Sequence, residues 1–162
     1  MRVCLVEGPD GVGKTTFINM LLQLNPGAIV KHFTYEDVKQ TPDPVLRYSN
    51  YLRNVNLEEG DNAVVIFDRG WYSDAIYGSV LRGKSDASPE EIDAIERICK
   101  GYGEFVLFMI TAPVETAWKR CKARGEELIT DKDVFKKICA AYSVSLPKIR
   151  AVSPGIVYEV RT

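Results

Sequence analysis

The chain has 162 residues, 46% of them hydrophobic and 27% charged, with 21 Lys plus Arg set against 22 Asp plus Glu. A chain of this size forms one domain, residues 1–162, and buries roughly 70% of the surface its unfolded form exposes, so it needs neither a structural metal nor a disulfide. The composition excludes disordered, collagen-like and membrane-spanning classes, and near-neutral charge argues against broad coating of nucleic acid or anionic lipid.

Apolar runs alternate with helix-period segments, the pattern of parallel strands joined by helical crossovers, so the class is α/β. Residues 2–7 form a first strand, and after a Gly-rich turn Lys14 to Leu24 places Phe17, Ile18, Leu21 and Leu22 on one helical face. Asn25-Pro26-Gly27 stops that helix. A second strand is expected over 28–33, then a polar, Pro-containing stretch and a helix from about Pro44 to Glu59 with Gly60-Asp61-Asn62 as its exit. Residues 63–67 are uniformly apolar, as strands covered on both faces tend to be. Two helices follow, the second opened by the capping box Ser88-Pro89-Glu90-Glu91 and ended near Gly101-Tyr102-Gly103. A fourth strand covers 104–111, a helix runs from Pro113 to about Arg124-Gly125, and Thr130-Asp131-Lys132-Asp133 caps a last helix that Pro147 should kink or end. Residues 155–160 supply a fifth strand.

Cys4, Cys99, Cys121 and Cys139 stand far apart with no CxxC pair and no neighbouring histidine, which removes zinc and thioredoxin-like readings. Free thiols in a reducing, cytoplasmic setting are expected. No apolar run approaches the ~18 residues needed to span a membrane, and Met1-Arg2 runs directly into a strand pattern, so neither membrane nor signal peptide is expected.

Gly8-Pro9-Asp10-Gly11-Val12-Gly13-Lys14-Thr15 matches G-x-x-x-x-G-K-[ST] and lies between a strand and a helix, where its mechanism needs it. Gly8, Gly11, Val12 and Gly13 let successive backbone N–H groups turn toward phosphate oxygens, and the helix N-terminus, with Thr15 and Thr16, adds favourable partial charge. Lys14, expected to be exposed, reaches the β and γ phosphates, and the Thr15 hydroxyl offers itself to Mg²⁺. ATP and Mg²⁺ are thus the cofactors expected. Asp68, closing the third strand, is placed to reach the same cation, although an Asp there also suits a helix cap.

Arg69 follows at the mouth of the next helix, where Ser73 and Tyr77, four residues apart, share a face. One guanidinium fork, one hydroxyl and one aromatic ring make a mononucleotide site. With Glu7 through Thr16, and with Asp68-Arg69 followed by Ser73 and Tyr77, the chain resembles the thymidylate kinase family of P-loop nucleoside monophosphate kinases. That resemblance implies a five-stranded parallel sheet ordered 2-3-1-4-5 and phosphoryl transfer from ATP to a deoxynucleoside monophosphate. It also implies that Asp10 meets the sugar 3′-hydroxyl, that Arg69 meets the acceptor phosphate, and that Ser73 and Tyr77 line the acceptor site. Gly70 stands where the family has an aromatic or imidazole side chain, the chain is short for the family, and in place of a Phe-x-x-x-Arg pair the 44–59 helix offers Arg47, Tyr48, Tyr51 and Arg53 to the base.

Arg120 and Arg124, four apart within Lys119 to Glu126, look like the arginines of a kinase lid spanning about 119–130, which would stabilise a transferring phosphoryl group. Solvent-facing cations favoured by the helix C-terminus are the simpler alternative, and Glu126 and Glu127 then only soften the local charge.

Asp68 to Asp74 also resembles the Glu-Arg-Ser segment of deoxyribonucleoside kinases, whose hydroxyl acceptor needs a general base; Glu36 or Asp37 could serve, without that family's Glu-Pro signature. A hydroxylated base in DNA, as in phage-type relatives working in a host cytoplasm, is a third acceptor, disfavoured by the pI of about 5.9. A GTPase would need an N-K-x-D segment, which is absent. His32, the only histidine, ends the second strand, while Trp71 and Trp118 read as core or interface aromatics. A homodimer is left open.

Overall fold

The computed structural model describes residues 1–125 and 129–162. Glu126 and Glu127 of the expected lid lie outside the described residues. The chain runs β1 (Arg2–Glu7), α1 (Lys14–Leu24), β2 (Ile29–Lys31), α2 (Tyr35–Gln40), α3 (Pro44–Glu59), β3 (Val64–Asp68), α4 (Trp71–Arg82), α5 (Pro89–Gly101), β4 (Glu104–Thr111), α6 (Val114–Arg124), α7 (Lys132–Val152) and β5 (Ile156–Arg161). All strand pairs are parallel and the sheet order is β2-β3-β1-β4-β5, as the family resemblance implies.

Register positions the site. Val6 pairs with Asp68 and Glu7 with Met109, so the segments leaving β1 and β3 emerge side by side at one end of the sheet. This C-terminal edge is where open α/β sheets collect ligands. Helices cover both faces in a three-layer arrangement. On one face Phe17 of α1 meets Phe108 at 5.0 Å; on the other, Tyr48 of α3 and Trp71 of α4 pack on each other and on Phe67, with Phe105 beneath Trp71. The polar ends of this cluster are satisfied, since Trp71 Nε1 and Tyr72 Oη both donate to the buried Glu96 carboxylate, at 3.2 and 2.7 Å. Trp118 packs on Phe135.

Two local features differ from the sequence expectation. The polar stretch after β2 contains the short helix α2, opened by a capping box in which Thr34 and Asp37 satisfy each other's backbone N–H groups. Pro147 does not end the last helix: α7 continues to Val152, because Tyr142 and Leu146 before the proline side of the turn and Ile149 after it are all buried. That packing outweighs the ~3 kcal/mol an internal proline costs. The four cysteines are unpaired, and burial raises the thiols of Cys4 and Cys139 to about 11, which leaves them unreactive. Among the described residues no helix is long and apolar enough to cross a membrane.

Candidate active site

The turn after β1 wraps the N-terminus of α1 and is pinned by its neighbours. Gly11 has φ 74°, and a Cβ there would collide with the Ala117 carbonyl of α6 and lie 2.8 Å from Cys121 Sγ. Only glycine allows α6 to lie this close to the turn. Lys14 is not exposed, contrary to the sequence expectation: it is 8% accessible, and its ammonium donates to the carbonyls of Gly8 (2.9 Å) and Pro9 (2.6 Å). Burial, with the nearby Arg69 charge adding to it, pulls its pKa down to about 7. The turn therefore closes on its own lysine. Thr15 and Thr16 are exposed in the first turn of α1, which carries no acidic side chain to oppose an anion.

Arg69 leaves β3 with φ 66°, the one non-glycine residue in the left-handed region among those described. Such a conformation costs about 1–3 kcal/mol and persists where surrounding contacts over-determine it. Those contacts are visible. Arg69 N donates to Val6 O at 3.0 Å, and the guanidinium donates to Gly8 O at 3.1 Å and to Ser73 Oγ at 3.4 Å. It also forms an ion pair with Asp10 and lies 5.1 Å from the Tyr77 ring, whose hydroxyl donates to Asp10 at 2.9 Å. Asp10, Arg69, Ser73 and Tyr77, expected to act together, do meet here.

Glu7 is the hidden support of this group. Fully buried, it accepts from Gly70 N (2.9 Å), Ser73 N (3.1 Å) and Ser73 Oγ (2.5 Å), with Tyr142 Oη of α7 at 3.3 Å. Sequence reading placed Glu7 in the motif without this role, and no local signal links it to Tyr142. Gly70, unlike the bulky residue of the resembling family, is explained by space: a Cβ there would lie 2.8 Å from Leu5 Cδ1 and 3.2 Å from Tyr48 Oη.

A cavity of about 330 Å³ opens beside this cluster. Asp10, Arg69, Ser73 and Tyr77 line it toward the turn; His32, Phe33, Asp74 and Arg82 line it farther out. His32 Nδ1 lies 2.7 Å from the Asp68 carbonyl oxygen, so that nitrogen carries the proton. Arg47 is buried, donates to Thr41 O at 2.8 Å and places a guanidinium nitrogen 3.7 Å from the Asp74 carboxylate, while its Nε has no partner among the described residues. Arg47 therefore acts on the cavity through Asp74. Burial, with the Glu7 charge adding and Arg47 opposing, raises the Asp74 carboxyl to about 6. Arg53 lies exposed on α3 and outside the cavity lining. Glu36 and Asp37 are also outside the lining; Asp37 is engaged by the α2 cap and by Lys31.

A second cavity of about 490 Å³ lies across the start of α1, lined by Gly13, Thr16, Phe17, Arg120, Arg124 and Thr162. Arg120 donates to Thr162 Oγ1 at 3.2 Å and approaches Gly11 O at 3.5 Å, and Thr162 Oγ1 donates to Val12 O at 2.7 Å. Both arginines thus stand beside the glycine-rich turn. Thr162 was not singled out by the sequence, because it reaches Val12 from 150 positions away.

For a divalent cation the available donors are the Thr15 hydroxyl and the Asp68 carboxylate, which accepts no hydrogen bond among the described residues and whose charge is felt by Lys14. No group of three or more His, Cys, Asp or Glu side chains that could hold a metal occurs among them either. Two oxygen donors fit Mg²⁺, which binds through one or two protein ligands together with phosphates and water.

No family model matches the sequence, and no curated protein matches it. Solved structures do. The YorR protein of Bacillus subtilis, crystallised with phosphorylated GDP, is 23% identical with a TM-score of 0.70, covering 98% of this chain and 85% of that one. Deoxyadenosine kinase of M. mycoides with bound dATP is 20% identical (TM-score 0.57; 98% and 91% covered), and polyphosphate kinase 2 of Arthrobacter aurescens TC1 is 18% identical (TM-score 0.66; 99% and 60% covered). With its parallel 2-3-1-4-5 sheet and the glycine-rich turn between β1 and α1, the chain shares the three-layer α/β P-loop fold of these structures.

Proposed function

We propose that the chain transfers the γ-phosphoryl group of ATP to the phosphate of a deoxynucleoside monophosphate, in the manner of the thymidylate kinases it resembles. The observation that carries this reading is Arg69, whose fork touches both the phosphate-binding turn and the 330 Å³ cavity beside it. A phosphate acceptor is already ionised and needs no general base. This agrees with the position of Glu36 and Asp37 away from the cavity. The YorR and deoxyadenosine kinase structures, solved with nucleotides bound, add support for a nucleotide ligand.

In this reading the backbone N–H groups of the turn and Lys14 hold the donor phosphates, with its nucleoside in the cavity edged by Arg120 and Arg124. Asp68 and Thr15 would hold Mg²⁺, which would supply positive charge against the donor phosphates. Arg69 orients the acceptor phosphate, Asp10 receives the sugar 3′-hydroxyl, and Ser73 and Tyr77 wall the acceptor cavity. Arg120 and Arg124 offset charge on the phosphoryl group in transit.

Initial rates for the common deoxynucleoside monophosphates with ATP and Mg²⁺ test this. At least one is expected to turn over, and Glu36→Gln should leave its rate within about twofold, since no proton is abstracted. Absence of turnover with every monophosphate would reject the reading.

Asp74 bears on the base. A carboxylate accepts N–H groups and repels carbonyl oxygens, so a base with an exocyclic amino group suits it better than thymine. Wild-type protein should therefore favour deoxycytidylate, deoxyadenylate or deoxyguanylate over thymidylate. Asp74→Asn, whose amide both donates and accepts, should shrink that ratio of kcat/KM by about tenfold, within the range of one good base contact.

A further inference from the structure

We infer that Thr162 is a positioning residue for the phosphate donor: its hydroxyl holds the Arg120 guanidinium beside the glycine-rich turn, so that ATP meets an arginine already in place. The inference rests on the donor half of the proposed function and is independent of the acceptor. Three elements converge on Thr162. Its backbone N–H donates to Thr111 O at 2.9 Å, which carries the β4 and β5 pairing one residue past Arg161 and ties Thr162 to the sheet. Its Oγ1 donates to Val12 O in the turn at 2.7 Å and accepts from Arg120 Nη1 of α6 at 3.2 Å. Its methyl group lies against Gly13, where a Cβ would stand 3.6 Å from Thr162 Cγ2. A β-branched side chain is stiff at χ1, so a methyl held on one side fixes where the hydroxyl points.

The direction of these bonds matters. A hydroxyl has one proton and two lone pairs. Val12 O is nearer than Thr111 O, which lies 3.4 Å from Thr162 Oγ1, so the proton goes to the turn and a lone pair is left for Arg120. The other anchor of Arg120, Gly11 O, is 3.5 Å away, at the long end of hydrogen-bond distance, which makes Thr162 the closer hold. Nη1 makes both contacts, so the fork is fixed at one corner and its other edge is the part that can meet phosphate oxygens. Both anchors are neutral oxygens, which fix the guanidinium without cancelling its charge. Arg69, by contrast, is ion-paired with Asp10.

An arginine free in solvent samples many rotamers, and ordering it when a ligand binds opposes binding. With Arg120 tied through Thr162 to the turn and the sheet, that ordering is complete before the nucleotide arrives. Valine at position 162 has nearly the same shape and keeps the methyl contact with Gly13, but it offers Arg120 no lone pair.

Calorimetric titration of ATP with Mg²⁺ into wild type, Thr162→Val, Thr162→Ser, Arg120→Ala and the Thr162→Val/Arg120→Ala double variant tests this, with thermal melting to show that each is folded. Thr162→Val should raise the Kd for ATP at least about fivefold, because hydrogen bonds to a charged group are among the stronger ones. Serine, which restores the hydroxyl, should stay within about twofold of wild type. Arg120→Ala should weaken binding at least as much as Thr162→Val. The double variant should match Arg120→Ala within about twofold, since two residues that act as one unit are not additive. A merely structural role for Thr162 would weaken binding in both backgrounds alike.

Equal ATP affinity in wild type and Thr162→Val would overturn the inference and leave the donor reading standing. A loss in the Arg120→Ala background as large as in wild type would also overturn it, assigning the hydroxyl to the turn through Val12 O. Unchanged affinity in Arg120→Ala would overturn it as well, because the arginine would then make no contact with ATP. No ATP binding by wild type would reject the donor half of the proposed function and the inference together.

Discussion

Lys14→Ala is expected to lower turnover at least 100-fold, equivalent to about 2.7 kcal/mol of lost transition-state stabilisation. The lysine is built into the glycine-rich turn, donating to Gly8 O and Pro9 O from a buried position. A charge held in a low-dielectric setting and aimed at developing negative charge contributes more than one in water, and it needs no reorganisation during the reaction. The same burial means that the substitution also touches stability. Two carbonyls lose their donor, at about 1–3 kcal/mol for each one that water cannot reach, but a partly desolvated cation is also removed, which offsets part of the loss. Thermal melting followed by circular dichroism should therefore show a folded variant with a lowered midpoint. More than about a tenth of wild-type turnover in that folded variant would mean that Lys14 does not serve the transferred phosphate, because losing one such contact costs at least ~1.4 kcal/mol.

The parts of this molecule that were legible in the sequence are those set by short spacings. The glycines and Lys14 of the turn lie within seven positions, and Arg69, Ser73 and Tyr77 recur at the helical interval, so both groups could be placed before any packing was known. Parallel sheet topology followed from alternating strands and helices and from the family resemblance. Long-range packing hid the rest. Lys14 is buried near Arg69, which arrives 55 positions later, just after β3, and donates to Gly8 O. Arg47 and Arg53 share one helix and one chemistry, and only the docking of α3 on Trp71 and Phe67 turns the first inward and the second to solvent. Glu7 gathers donors from Gly70, Ser73 and Tyr142, a convergence of three segments that no window of sequence contains. The α7 helix passes Pro147 for a similar reason, since buried residues on both sides of it outweigh a local breaking signal.

Arg69→Lys is expected to raise the acceptor KM at least tenfold while the KM for ATP changes less than about threefold. Lysine keeps the charge and is also an L-residue, so the strain of the φ 66° backbone is the same in both proteins and the comparison isolates the fork. An ammonium can replace one of the guanidinium's directed contacts, but it cannot hold Gly8 O, Ser73 Oγ and Asp10 together while presenting a flat edge to a phosphate. Asp10 would then be left with Tyr77 as its remaining partner, and the wall of the cavity that orients the acceptor would loosen. The donor phosphates depend on Lys14 and the α1 N-terminus, which the substitution leaves in place. Steady-state kinetics with each substrate varied in turn separates the two effects. A larger change in the ATP KM than in the acceptor KM would assign Arg69 to the donor phosphates, through its contact with Gly8 O, and would leave the acceptor cavity without its phosphate-reading group.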